Sequence, residues 1–266
     1  MHNKYGCKPP VIDVRDYKLT KASIDESLPE EFSLVNLPDV KNQKSVSSCV
    51  AHTASSILEF HDKCNHILST NFIYGIQKKE CGQEGSGMYL RDACKIVSKY
   101  GDALESECPG NDEVPECWAL AEKMLDSELN DGKTMADTFK IKSYFNCNSV
   151  TDIKRALYNY GPVLCSIKWY DTFKCEDGVL TGEQKGDYGY HAVMIYGWNE
   201  IGFLCQNSWG KNWGNNGRFI LPYSIGVAEA KGLVDEPSNE IKAPIRNNFM
   251  DIIYKIINFF ANMFNN

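Results

Sequence analysis

No two of the chain's eleven cysteines stand as C-x-x-C. Structural zinc sites are built on that spacing, so a zinc-held fold is not expected and no metal site is assigned. Blocks of Lys and Arg are absent too. The 28 basic residues are outnumbered by 35 acidic ones, the net charge is −7, and no stretch interleaves aromatic with basic side chains. Nucleic acid is thereby excluded as the expected partner. The first thirty residues contain no apolar run of signal-peptide length; nothing marks the chain for secretion, and an intracellular location is expected. Abundant cysteine argues for an oxidising compartment, and the odd number leaves at least one thiol unpaired within the chain, so the redox state stays open. There is no internal repeat, and no cofactor is expected. Histidine is scarce, limited to His2, His52, His61, His66 and His191.

What is present reads as globular. The 266 residues are 43% hydrophobic and 24% charged, enough for one large domain or two lobes around a cleft. Residues 1–27 are polar and punctuated by proline, an N-terminal extension expected outside the main core. From Cys49 to about Lys63 the apolar positions Val50, Ala54, Ile57 and Leu58 keep a helical period with one buried face, and Ser47 or Ser48 is placed to cap that helix. A second helix is expected from about Met88 to Tyr100, stopped by Gly101. A third, in "DIKRALYNYGPV", ends at Gly161-Pro162 and leads into the strand "VLCSIKW". The segments "YHAVMIYGW" and "FLCQNSW", joined by "NEIG", are apolar on both faces, as strands of a covered sheet are, and "GNNGRFILPY" adds another. Helices first and strands later predict an α+β protein with segregated lobes, the helical one at about 40–125 and the β lobe at about 130–236. Residues 237–266 form a linker and a C-terminal amphipathic helix. Its polar stripe (Asp251, Lys255, Asn258, Asn262) makes it too interrupted to span a bilayer. It suits packing on its own domain, docking on a partner, or peripheral membrane contact.

A cysteine nucleophile needs help, because a free thiol with a pKa of about 8.5 is mostly protonated at neutral pH. Cys49 opens a helix, whose N-terminus carries partial positive charge; Cys64, Cys94 and Cys117 sit within or late in helical runs. His61 and His66 flank a helix end, and His52 is one turn from Cys49 on the same helix with little freedom to reach it. His191 begins a buried strand, where a satisfied core histidine is the ordinary alternative. The hairpin that follows brings Asn207 back to the same end of the sheet. Its amide oxygen is suited to accept the second ring N–H of the imidazole and fix the tautomer, under cover of Trp209.

In chain order, "NQ" with Gln43, "SC" with Cys49, "GPV" at 161–163, "HAV" at 191–193 and "NSWGKNWGNNG" at 207–217 make residues from roughly Leu28 to Glu236 resemble the papain-like cysteine peptidase family. His191 and Asn207 follow the cysteine by about 140 and 160 residues, near the separations of that family. The resemblance implies a two-lobed α+β fold, with a helical N-terminal lobe, an antiparallel β-barrel-like C-terminal lobe and the active site in the cleft between them. It implies Cys49 as nucleophile, His191 as general base and acid, Asn207 as its orienter with Trp209 as shield, and Gln43 as oxyanion donor beside the Cys49 N–H. The substrate would be a protein or peptide. Gly87, Met88, Tyr89, Gly189 and Tyr190 are the candidates to line the groove. Val46 stands where lysosomal members carry a half-cystine, Ser47 where they carry a glycine, and Val50 where they carry tryptophan; "EGSGMYLRDA" replaces their Cys-Gly-Gly segment. Ser47 crowds the groove, and strains the backbone if its φ is positive. The short N-terminal extension, with "DVRDY" and "LPY", is similar to the branch found in prokaryotes and large DNA viruses. It suggests a short pro-segment over the cleft and a virion-associated location beside the intracellular one. A catalytically inactive papain-fold binder and an acyl transferase using the same Cys-His chemistry remain open as alternatives.

Overall fold

The computed structural model describes residues 5–11, 27–81, 85–109, 133 and 136–235. The expected C-terminal helix at 237–266 and Cys117 lie outside the described residues. Three helices come first. The helix α1 (Cys49–His61) is buried from Cys49 through Phe60, and its first turn lacks the expected hydroxyl cap. Ser48 occupies the cap position without a side-chain cap bond, its Oγ lying 3.1 Å from His52 Nδ1 instead. The helix α2 (Thr70–Glu80) is capped by Ser69, whose Oγ accepts the Phe72 N–H. The helix α3 (Leu90–Lys99) ends at Tyr100, before Gly101, whose φ of +84° puts a hypothetical Cβ 1.8 Å from the Ala136 carbonyl oxygen; only glycine fits that approach. The helix α4 (Val150–Tyr160), capped by Ser149 through the Asp152 N–H, runs into Gly161 at φ +103°.

The strands are β1 (Phe32–Ser33), β2 (Ser143–Asn146), β3 (Val163–Tyr170), β4 (Lys174–Glu176), β5 (Val179–Thr181), β6 (Tyr188–Trp198), β7 (Gly202–Gln206), β8 (Arg218–Pro222) and β9 (Glu229–Val234). They form one sheet in the order β2-β9-β3-β6-β7-β8-β5-β4, with β1 added on β6. Every pairing is antiparallel except β5 with β8.

Two apolar cores correspond to the two lobes, and β6 is their common wall. Its Ala192 and Met194 belong to the core built by α1, α2 and α3. The alternate residues Val193 and Ile195 belong to the core of the sheet and α4. Alternation along a strand sends neighbours to opposite faces, so a strand buried on both sides must be apolar throughout, as "HAVMI" is. The seam of the two lobes therefore runs along β6, and α1 packs directly on it. One expectation is corrected here. Residues 1–27 do not all lie outside the core: Cys7 is 8% exposed and packs in the helical-lobe cluster.

Candidate active site

α1 presents Cys49 as its first residue where β6 passes in front of it. The Ala192 N–H reaches Cys49 Sγ at 3.4 Å across 143 residues of sequence. The N–H groups of Val50 and of Cys49 itself, at the start of the helix, also favour the thiolate. His191 sits one residue before Ala192, opposite Ile167 of β3. Asn207 follows the last residue of β7, and its N–H bonds the Gly217 carbonyl at 2.9 Å.

His191 Nε2 lies 2.7 Å from Asn207 Oδ1. The Ser208 backbone N–H donates to the same Oδ1 at 2.8 Å, so that atom is an acceptor and the imidazole must donate to it. The ring is thus held as the Nε2–H tautomer. Its Nδ1 is bare, buried, and without a hydrogen-bond partner. Trp209 stacks on the ring at 4.5 Å and 30°. Trp169 stands edge-on to it at 5.4 Å and 87°, and packs on Trp209 and Trp213 as well. Trp169 did not figure among the sequence candidates. The signal lay in strand alternation: it is two residues beyond Ile167 on β3 and so shares the face of the residue opposite His191.

Gln43 comes in from the loop before α1. Its main-chain N–H bonds the Ser208 carbonyl at 2.8 Å, and its side chain donates from Nε2 to the Val46 carbonyl at 2.7 Å. Ser208 Oγ donates to Gln43 Oε1 at 2.6 Å and so fixes which end of the amide carries hydrogen. A primary amide has two N–H bonds, so the Val46 contact and an oxyanion contact do not exclude each other. Ser208 was not foreseen. Ser47 is not among the residues with positive φ, so the strain feared there does not arise, and Val50 lies fully buried in the helical-lobe core.

The remaining candidates, Gly87, Met88, Tyr89, Gly189 and Tyr190, meet around the chain's own residues 5–8. The Cys7 N–H donates to the Tyr190 carbonyl at 3.1 Å, the Met88 N–H to the Gly6 carbonyl at 2.8 Å, and the Lys8 N–H to the Met88 carbonyl at 2.9 Å. Cys7 pairs parallel to Met88 and antiparallel to Tyr190, a strand laid between the two lobes. A Cβ on Gly87 would lie 2.9 Å from the Gly6 carbonyl oxygen, and one on Gly189 would lie 2.5 Å from the Tyr5 ring. Lys8 Nζ sits over the Tyr89 ring at 5.4 Å, and Tyr5 donates to Asp171 at 3.1 Å. Gly6 passes so close over Ser47 that any side chain would meet its backbone, and its N–H also faces the Cys49 sulfur.

Burial controls the charge of this site. It pushes the Cys49 thiol up to about 11, against the N–H groups of Ala192, Gly6, Val50 and Cys49, which favour the thiolate. It pushes His191 down to about 4, with the Asn207 bond opposing. Both groups are therefore neutral at pH 7 in this closed arrangement. Among the described residues no group of three or more His, Cys, Asp or Glu is arranged to hold a metal ion, and the ten described cysteines are all free thiols.

Residues 28–231 match the family model described as Papain family cysteine protease. Over 262 residues, 89% of this chain and 83% of the relative, the sequence is 26% identical to an uncharacterized peptidase C1-like protein of Acanthamoeba polyphaga mimivirus. It is 25% identical over 244 residues to a cathepsin B-like cysteine proteinase of Caenorhabditis elegans, covering 79% of this chain and 66% of that one. Among solved structures it superimposes on xylellain, a cysteine protease from Xylella fastidiosa, with a TM-score of 0.73 at 24% identity, over 88% of this chain and 98% of that chain.

Proposed function

The chain belongs to the papain family of cysteine proteases, and we propose that it hydrolyses peptide bonds with Cys49 as nucleophile, His191 as general base and acid, Asn207 as orienter and Gln43 as oxyanion donor. One observation carries this reading: the Asn207 bond leaves His191 with a bare Nδ1, on the strand whose next N–H touches the Cys49 sulfur. In the first step Nδ1 takes the thiol proton and the thiolate attacks the peptide carbonyl carbon. The carbonyl electron pair moves to oxygen, where the Cys49 N–H and the Gln43 amide receive it. The tetrahedral species collapses to a thioester as the imidazolium protonates the leaving amine. Water, deprotonated by Nδ1, then attacks the thioester, releasing the acid and returning the proton to sulfur. Trp209 and Trp169 keep bulk water from the His191–Asn207 bond. The family implies protein or peptide substrates.

Residues 5–11 act in this reading as a strap that holds the enzyme closed. Their residues 6–8 make main-chain bonds to Met88 and Tyr190 of the kind a substrate would make, and the strap buries the reacting pair in its neutral form. The test is labelling with an epoxide of the papain-inactivating type, located by mass spectrometry, on the full chain and on its Gly6→Val variant. Labelling confined to Cys49, faster in Gly6→Val and abolished by His191→Ala, is expected. No labelling of Cys49 in either protein would sink the peptidase assignment of these residues.

A further inference from the structure

Lys41 joins α1 to the segment that follows Asn207. Its Nζ donates to Glu59 Oε1 at 2.6 Å and to the Leu68 carbonyl at 3.1 Å. Glu59, 5% exposed, stands ten residues along α1 from Cys49, and its Oε1 also accepts the Leu68 N–H at 2.8 Å. A second acid, Asp102, is fully buried and accepts the Ala103 N–H at 2.9 Å. The Lys41 carbonyl accepts the Gly210 N–H at 3.0 Å, while the Gln43 N–H bonds Ser208 at 2.8 Å; Asn42 and Trp209 form an antiparallel bridge between these two bonds. Residues 41–43 and 208–210 are therefore one short ladder, bearing Gln43 on one strand and following directly from Asn207 on the other. The Lys41 side chain ties this ladder to the helix of the nucleophile through Glu59.

We infer that Lys41 is a positioning residue for the oxyanion site: its ion pair with Glu59 sets how the ladder carrying Gln43 stands against α1, and so whether the Gln43 amide and the Cys49 N–H converge on one oxygen. The inference rests on the peptidase reading above. It differs from a merely stabilising ion pair in its coupling. If Lys41 acts through Gln43, removing both must cost little more than removing Gln43 alone, because groups acting as a unit are not additive.

The experiment is a double-mutant cycle in the full chain carrying Gly6→Val, read as kcat and KM on a fluorogenic peptide. Gln43→Ala is expected to lower kcat by about 10²-fold, as loss of an oxyanion donor does. Lys41→Met is expected to lower kcat by roughly 10-fold with KM changed less than about 2-fold, and Gln43→Ala added to it should cost only about 10-fold more, which brings the double variant to about the level of Gln43→Ala alone. Glu59→Gln, which keeps an oxygen for Leu68 and removes the ion pair, provides a second cycle should Lys41→Met fail to fold. Equal factors for Gln43→Ala in both backgrounds, or a Lys41→Met effect confined to thermal stability, overturns the inference while leaving the peptidase reading standing. A Gly6→Val parent that hydrolyses no peptide overturns both.

Discussion

Replacing Gly6 by valine in the full chain should open the cleft, and the structure gives the size of the effect. A Cβ at Gly6 would lie 2.2 Å from the Ser47 carbonyl carbon and oxygen and 2.6 Å from its Cα. These are backbone atoms at the start of a buried helix, so the strap must lift rather than the wall yield. Lifting it forfeits three main-chain hydrogen bonds, from Cys7 to Tyr190, from Met88 to Gly6 and from Lys8 to Met88. At about 0.5–1.5 kcal/mol net apiece, the closed state loses roughly 1.5–4.5 kcal/mol, before counting burial of the Cys7 side chain. A tenfold change in equilibrium corresponds to about 1.4 kcal/mol, so the open fraction of the parent, and with it the rate at low substrate, should rise by about 10- to 10³-fold. The assay is hydrolysis of a fluorogenic peptide, run beside alkylation of Cys49 by a small haloacetamide. The second readout is needed because alkylation reports access to the thiol without requiring the rest of the machinery. If Gly6→Val is neither more active nor more readily alkylated than the parent, the strap does not hold the cleft shut.

Asn207→Ala removes the acceptor that fixes the His191 tautomer, and kcat of the Gly6→Val protein should fall by about 10²-fold, the low end of what a positioned acid–base group contributes, with KM nearly unchanged. An unaltered kcat would remove Asn207 from the mechanism. Burial holds both His52 and His191 down to about 4, whereas in the unfolded chain they take up protons near pH 6.5. The unfolded state therefore binds more protons between those values, and stability present above about pH 6.5 is lost as pH falls towards 4, by up to about 3 kcal/mol per histidine. Urea unfolding at several pH values should show this loss, and His52→Gln should make it shallower; an unchanged slope would refute the assignment to that residue.

How much of this was legible in the sequence depended on where the interactions lie along the chain. His191 and Asn207 could be brought together on paper because a short turn joins their strands, and β6 announced its double burial through "HAVMI". The helix α2 escaped notice because Phe72, Ile73, Tyr74, Ile76, Gln77 and Lys78 are all buried; a helix covered on most sides shows no apolar stripe. The strands β4 and β5, three residues each, are too short to show a period. β9 hid behind a buried lysine, Lys231, and behind Gly232, where the Phe145 ring would lie 2.3 Å from a Cβ. The hydroxyl cap expected on α1 failed because Ser48 turns to His52. The sequence suggests a short pro-segment over or near the cleft, without the residues that would make the contact. Its main-chain bonds leave no side-chain pattern, and its one local mark is the glycine at position 6.

The charge state of the closed site bears on how such an enzyme could be released. Closed, the thiol is held up to about 11 and the imidazole down to about 4, so the pair holds one proton, on sulfur. In the reactive form proposed above the pair also holds one proton, now on His191. Closing the strap is then an internal proton transfer driven by desolvation, and between the two macroscopic pKa values of the open pair it neither takes up nor releases a proton. The bonds from residues 6–8 to Met88 and Tyr190 are main-chain bonds, which do not titrate, and the charged groups in contact with the strap include Asp171 on Tyr5 and Lys8 over Tyr89. The ratio of the Gly6→Val rate to the parent rate should accordingly stay level from about pH 5 to 8. A ratio that collapses as the solution is acidified would mean that protonation of some group opens the parent. The neutral closed pair would then not be what the strap protects. A level ratio leaves displacement or cleavage of residues 5–11 as the route by which water, and with it the ion pair, returns to the site.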